Sequence, residues 1–189
     1  MLYIDPKFSI LVVCLIMTLP LDWLLSAAMA AWFHEICHLI MLRIFGIPVY
    51  KIKIGIFGAK IDAASGTEWQ YFFAAAAGPF GSLLLCLLYR HMPKIAICAA
   101  VQALFNLLPV YPMDGGRMLR AILEKICPRF ARKAEGWVQF IVMTAAAVFS
   151  LYISCAYDLG VFPAALCLAM IIKGFCGKRP CKRGKNRVQ

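Results

Sequence analysis

The chain has 189 residues, of which 63% are apolar and 15% are charged, and its formal net charge is +11 at pH 7. Soluble domains are roughly half apolar, so this composition excludes an ordinary soluble protein and indicates an integral membrane protein. A membrane-spanning helix needs about 20 mostly apolar residues, so this length holds roughly five or six spans and leaves no room for a separate soluble domain.

Six apolar stretches predict an all-α, multi-pass membrane protein with about six transmembrane helices. They cover about residues 8–21, 23–45, 69–89, 92–109, 137–157 and 159–172. The first is short for a span, and only Pro20 and Asp22 separate it from the second. Because no small-residue cleavage site follows it, we predict a retained span rather than a secretory signal. We expect residues 1–176 to form a single membrane domain and residues 177–189 to form a basic tail.

The basic residues predict the orientation of these spans. All lysines and arginines except Arg90 and Lys94 lie before the first span or after the second, fourth or sixth. Lysine and arginine in short loops stay on the cytoplasmic side, so we expect both termini in the cytoplasm of a cell-membrane protein. We expect the tail to contact anionic lipids. A nucleic-acid partner is not expected, because no aromatic residue follows Phe175 to stack on bases.

The second stretch contains His34, Glu35 and His38 in the pattern HExxH. Histidines four residues apart share one face of a helix, so both imidazoles can reach one Zn²⁺. Glu35 is then placed to accept a proton from an attacking water. An ionisable group at the bilayer centre costs about 2.5 to 3.5 kcal/mol, so three within one turn indicate a function. The alternative is two buried histidines satisfied by hydrogen bonds, with Glu35 as their counter-charge.

Residues 47–61, between the second and third stretches, are rich in β-branched residues, alternate in part and contain glycines suited to turns. This pattern predicts a short membrane-associated β-hairpin. Two interpretations stay open. The hairpin either rests on the membrane surface as an amphipathic element, or it offers an edge that pairs with an extended peptide.

A third zinc ligand is needed, because catalytic zinc usually has three protein ligands and one open position. Asp114 is the candidate. It lies in NLLPVYPMDGGR, residues 106–117, where two prolines and two glycines break a helix that has just crossed the membrane. Non-helical backbone at such depth is tolerated only where protein or a water-filled cavity receives its polar groups. The alternative is that Asp114 caps a helix that starts at Gly115.

The pairing of HEICH with NLLPVYPMDGGR resembles the site-2 protease family of intramembrane zinc metalloproteases, over roughly residues 25–120. The resemblance implies one Zn²⁺ per chain, with His34, His38 and Asp114 as its ligands. It implies that Glu35 is the general base, and that the reaction is hydrolysis of a peptide bond in or near a membrane segment of a substrate protein. It also implies that Asn106 contacts the substrate or the developing oxyanion.

Ala77-Gly78-Pro79 is similar to the glycine-proline element of that family. One departure is that Gly81 and Ser82 stand where the family often has an asparagine, which puts a second asparagine contact in doubt. The chain resembles a minimal six-span member. Its shape is most similar to the branch that processes a membrane-tethered pro-sigma factor in sporulating bacteria, which implies release of a regulatory factor. The sequence leaves open whether a regulatory membrane partner controls access.

Two other functions fit parts of the sequence. A transporter would explain the interruptions at Gly78-Pro79 and at residues 106–112, but no paired repeat is visible and HExxH would have no role. A catalytically inactive zinc-binding regulator would have no reason to keep Glu35, which is not a ligand. The sequence therefore favours an active peptidase.

Overall fold

The computed structural model describes most of the chain, in the ranges 2–4, 13, 15–55, 58–64 and 66–156. The chain divides into two compact units, residues 1–139 and 140–189. Six residues of the predicted span at 8–21, namely 8–12 and 14, lie outside the described residues, as do the whole span at 159–172 and the basic tail at 177–189. The count of six spans and the role of the tail therefore stay predictions.

The protein is mostly helical. Its described elements are β1 (Leu2–Ile4), α1 (Leu21–Ile44), β2 (Val49–Gly55), β3 (Gly58–Ala63), α2 (Glu68–Leu85), α3 (Pro93–Asn106), α4 (Asp114–Ile126) and α5 (Ala131–Ala156), with a 3₁₀ turn at Cys86–Leu88 that extends α2. Three helical segments are long and apolar enough to cross a membrane, namely Leu21–Ile44, Glu68–Leu88 and Ala131–Tyr152. They coincide with three of the predicted spans.

The predicted span at 92–109 is a shorter helix than expected. α3 has 14 residues, fewer than the roughly 20 that a straight span needs. It begins with Pro93, whose missing N–H is no loss at the first helical position. It ends at Asn106, three residues before Pro109, in keeping with the tendency of a proline to end a helix upstream.

A small sheet follows α1, where the hairpin was predicted. β2 pairs antiparallel with β3, from Val49 opposite Ala63 to Gly55 opposite Gly58. β1 adds a third, parallel strand on the other side of β2, and this strand was not predicted. β2 is therefore the central strand, and among the described residues the outer strands are β1 and β3. Association of the sheet with the membrane surface stays a prediction.

The sheet is fixed to the helices by an apolar cluster at its base. Leu42 near the end of α1, Ile47 in the connection to β2 and Ala74 in α2 are buried together. Partly buried residues of the sheet, including Val49 and Ile61, pack against this cluster. The sheet therefore holds the end of α1 against α2.

Helix α2 contacts α1, α3 and α4. Its buried positions carry small residues and one proline, namely Ala74, Ala75, Gly78, Pro79, Gly81 and Ser82. A Cβ on Gly81 would overlap the Cys37 side chain of α1, so the glycine permits close approach of the two helices. Large apolar side chains such as Phe80 and Leu104 are exposed instead. Small residues between helices with large ones outside are typical of helices that pack in lipid.

Candidate metal centre

Helix α1 places both histidines of the HExxH pattern on its buried face. The buried residues of α1 recur every four positions, at Ser26, Ala30, His34, His38 and Leu42. His34 is 1% exposed and His38 is 5% exposed. Because this row faces the neighbouring helices, both imidazoles point into the protein rather than toward lipid.

Asp114 reaches the histidines because the segment before α4 packs closely against the first residues of that helix. A Cβ on Gly115 would overlap the Leu107 carbonyl, and one on Gly116 would lie 2.6 to 2.8 Å from backbone atoms of Val110 and Tyr111. Only glycines fit at these two positions without displacing the preceding segment. The packing leaves the Asp114 side chain buried at the first residue of α4.

The alternative that Asp114 is a helix cap is wrong. The N-cap of α4 is Met113, which makes no side-chain capping bond. The Asp114 carboxylate instead contacts His34 and His38 through Oδ2 and Arg117 through Oδ1. Asp114 therefore faces the histidines, as expected of a third ligand.

Three potential ligand atoms converge at one point. His34 Nε2 lies 3.0 Å from Asp114 Oδ2, and His38 Nε2 lies 3.1 Å from the same oxygen. The two Nε2 atoms are 3.1 Å apart. Ligand atoms about 2.1 Å from a tetrahedral zinc lie roughly 3.4 Å from one another. The three atoms therefore have nearly the spacing of one face of a zinc tetrahedron, and among the described residues they form the one group that could hold a metal ion.

The hydrogen bonds on the far sides of the rings show that this donor set fits a cation. His38 Nδ1 lies 2.6 Å from the Ala74 carbonyl oxygen. A carbonyl can only accept, so Nδ1 carries the proton and Nε2 of the neutral ring presents a lone pair. His34 Nδ1 lies 2.8 Å from Ser82 Oγ, which can accept in the same way. Two nitrogen lone pairs and a carboxylate oxygen then face one another, an arrangement that a bound cation stabilises.

Gly78 keeps the space beside the ligand atoms open. A Cβ at this position would overlap the His38 ring and lie 2.7 Å from His34 Nε2. The α2 backbone therefore forms one wall of the centre. The glycine-proline element was recognised in the sequence, but this contact with both histidines was not predicted.

The other two predicted residues also lie at or beside the centre. Glu35 is on α1 between the two histidines and is half-buried. Asn106, the last residue of α3, is half-buried, and its Nδ2 lies 3.4 Å from His34 Nε2. The structure thus brings Asn106 to the ligands, whereas its role and that of Glu35 stay predictions.

Sequence reasoning missed three groups that hold the ligands. They are the Ala74 carbonyl, the Ser82 hydroxyl and the Arg117 guanidinium, whose Nη1 donates to Asp114 Oδ1 over 3.3 Å. Each ligand therefore has a hydrogen-bond partner behind it, as metal ligands commonly do. One available signal was the four-residue spacing of Ala74, Gly78 and Ser82, which puts them on one face of α2.

Comparisons with known proteins show which proteins this chain is similar to. Residues 88–149 match the family model for Peptidase family M50. The candidate zinc metalloprotease sll0528 of Synechocystis sp. is 36% identical over 119 residues, which are 54% of this chain and 31% of that protein. The candidate zinc metalloprotease Rip3 of Mycobacterium tuberculosis is 34% identical over 126 residues, 53% of this chain and 32% of its own length. The chain spans about a third of the length of these relatives.

A solved structure shares the fold. The site-2 protease from Methanocaldococcus jannaschii superposes with a TM-score of 0.65 at 18% identity, over 94% of this chain and 90% of that one. The chain therefore shares the fold of this site-2 protease, and its residues 88–149 resemble Peptidase family M50.

Proposed function

We propose that this chain, a relative of the M50 and site-2 zinc metalloproteases, hydrolyses a peptide bond in or near a membrane segment of a substrate protein. The observation that carries the proposal is the convergence of His34 Nε2, His38 Nε2 and Asp114 Oδ2 within 3.0 to 3.1 Å of one another. The centre is buried and lies beside helices long enough to cross a membrane. A scissile bond that reaches it must therefore come from a segment at the membrane.

The chain's own residues supply the proton transfer and the orientation. A zinc ion bound by the two histidines and Asp114 would polarise the scissile carbonyl as a Lewis acid. Glu35, adjacent in sequence to one ligand and three residues before the other, accepts a proton from the attacking water and later passes it to the leaving amine. Asn106, whose Nδ2 lies 3.4 Å from His34 Nε2, would donate to the oxyanion that develops on the substrate.

The centre lies nearer one end of α1 than the other. At 1.5 Å per residue, His38 is about 9 Å from the Ile44 end, whereas His34 is about 20 Å from the Leu21 end. Asp22 at the start of α1 pairs with Lys94 at the start of α3, so both helices begin on one side. We propose that this side faces the outside of the cell, because Arg117 and most other basic residues follow the opposite ends of the helices.

This orientation gives a prediction that can be measured. Both termini should face the cytoplasm, and the loop around Arg90 should face outward. Single cysteines introduced at these places into a cysteine-free chain should be labelled by a membrane-impermeant reagent only at Arg90 in intact cells. Labelling of the C-terminus from outside would contradict the orientation and the cytoplasmic-side position of cleavage.

The substrate we propose is a membrane protein or a membrane-tethered peptide, and the product a released regulatory factor. An extended substrate segment could pair with β3, an outer strand of the sheet, by strand addition. We also propose contacts of the basic tail with anionic lipids and regulated access through a membrane partner. Similarity to the branch that processes a pro-sigma factor rests on the sequence resemblance and belongs to this proposal.

Metal dependence of cleavage tests the function directly. The purified full chain in liposomes should cleave at least one fluorescent reporter from a panel of reporters that each carry a single membrane span. A zinc chelator should abolish cleavage of that reporter, and added Zn²⁺ should restore it. Cleavage that persists after chelation, in protein shown to be free of zinc, would contradict the proposal.

A further inference from the structure

One face of α2 lies against both histidines of the metal centre. Ala74, Gly78 and Ser82 follow one another at intervals of four residues and are all buried. The Ala74 carbonyl holds His38 Nδ1, Gly78 lies against the Nε2 atoms, and Ser82 Oγ holds His34 Nδ1. A single helix face therefore sets the orientation of both imidazoles.

The two histidines are held in different ways. His38 is held by a backbone carbonyl, which can only accept a hydrogen bond and which no substitution removes. His34 is held by the Ser82 hydroxyl, which is a replaceable side chain. With a metal on His34 Nε2, the proton of the neutral ring must be on Nδ1, so Ser82 Oγ must then be the acceptor.

We propose that Ser82 is a positioning residue that keeps the His34 proton on Nδ1 and leaves Nε2 free to bind the metal. The inference rests on the proposed metal centre and gives a role to one residue beside it. Without the Ser82 acceptor, the His34 proton is better placed on Nε2, where it can be donated to Asp114 Oδ2 at 3.0 Å. That hydrogen bond would occupy two of the three ligand atoms and oppose metal binding.

Burial makes the Ser82 hydroxyl hard to replace. Ser82 has 0% exposure, so water has little access to act as the acceptor in its absence. Alanine differs from serine by one oxygen, so Ser82→Ala changes the packing little while it removes the acceptor. A role in packing alone therefore predicts almost no effect on metal affinity, whereas the positioning role predicts a large one.

Ser26 offers a matched control. It is 8% exposed, and it lies on the same buried face of α1 as the two histidines. Its Oγ donates to the Asp22 carbonyl oxygen over 2.7 Å, and among the described residues it is not a hydrogen-bond partner of His34, His38 or Asp114. Ser26→Ala thus removes a buried serine hydroxyl without touching His34.

The experiment measures the zinc dissociation constant of the purified full chain in detergent, by competition with a chelator of known affinity. We expect Ser82→Ala to weaken zinc binding by about 10- to 100-fold, the usual effect of losing such a partner, and Ser26→Ala to leave it unchanged. The thermal unfolding midpoint should be similar for both variants. Excess zinc should restore reporter cleavage by Ser82→Ala, because only metal affinity is impaired.

Three results would overturn the inference. They are an unchanged dissociation constant in Ser82→Ala, an equal loss in Ser26→Ala, and a Ser82→Ala chain that does not fold, which would make Ser82 a structural residue. If the wild-type chain itself bound no zinc, the proposed metal centre would be wrong, and the inference with it. Zinc binding by the wild type separates failure of the inference from failure of the proposed function.

Discussion

A chain with Glu35→Gln is expected to keep about one bound zinc and to lose reporter cleavage by roughly 100-fold or more. The three converging ligand atoms belong to His34, His38 and Asp114, so Glu35 is not needed to hold the metal. Glutamine has nearly the same shape as glutamate but cannot accept the proton of the attacking water. Zinc content by mass spectrometry and reporter cleavage in liposomes, measured on the same preparation, give the two results separately.

Glu124→Gln is a matched control for the general base. Glu124 lies on α4 and accepts a hydrogen bond from Arg120 over 2.7 Å, and it is not part of the metal-ligand group. Its substitution should leave both zinc content and cleavage close to wild type. If Glu35→Gln cleaved at the wild-type rate, the general-base role would be wrong. If it lost its zinc, Glu35 would be required for the metal centre itself.

A chain with Gly78→Ala is expected to lose most of its zinc and with it most of its cleavage. The added Cβ would overlap the His38 ring and lie 2.7 Å from His34 Nε2. Neither contact can be relieved by rotating a flexible side chain, because Ala74 and Ser82 hold both rings from behind. The methyl group would therefore displace the rings or occupy the space of the metal.

Gly136→Ala controls for the general effect of replacing a helical glycine. A Cβ at Gly136 in α5 would meet no atom within 4 Å. Alanine favours a helix over glycine by about 1 kcal/mol, so this variant should fold at least as well as wild type and bind the same amount of zinc. Full zinc occupancy in Gly78→Ala would show that the α2 backbone does not lie against the metal as described.

The proposed zinc ligands could be predicted from the sequence because their signals are local. His34 and His38 are fixed on one helix face by their spacing alone. Asp114 stands out because prolines and glycines interrupt an apolar stretch around it, and Gly115 and Gly116 prove to be where the chain folds back on itself. The sequence left the capping alternative open, since a first-turn aspartate is also common at helix starts.

The hydrogen-bond partners of the ligands could not be predicted in the same way. Ser82 and the Ala74 carbonyl reach the histidines only because α2 packs against α1, and such packing depends on residues far apart in the chain. The same holds for β1, whose pairing with β2 joins residues 2–4 to residues 52–54. The local pattern predicted a hairpin at residues 47–61 and no third strand, so it could not show that β2 is central.

The helix lengths were predicted less well than their positions. Hydropathy extends the fourth stretch to residue 109, because Leu107 and Leu108 are as apolar as the residues before them. The helix ends at Asn106 instead. Because the helix ends here, the Asn106 amide lies beside His34. A prediction that the helix continues to residue 109 gives no reason to expect this contact.

Zinc content of the purified full chain, compared between wild type and Asp114→Ala, tests the account most directly. We expect about one zinc per wild-type chain. We expect little zinc in Asp114→Ala, because the two remaining histidines would leave the metal with too few protein ligands. Wild-type protein that binds no zinc, or an Asp114→Ala chain that retains a full equivalent, would contradict the assignment of His34, His38 and Asp114 as the metal centre.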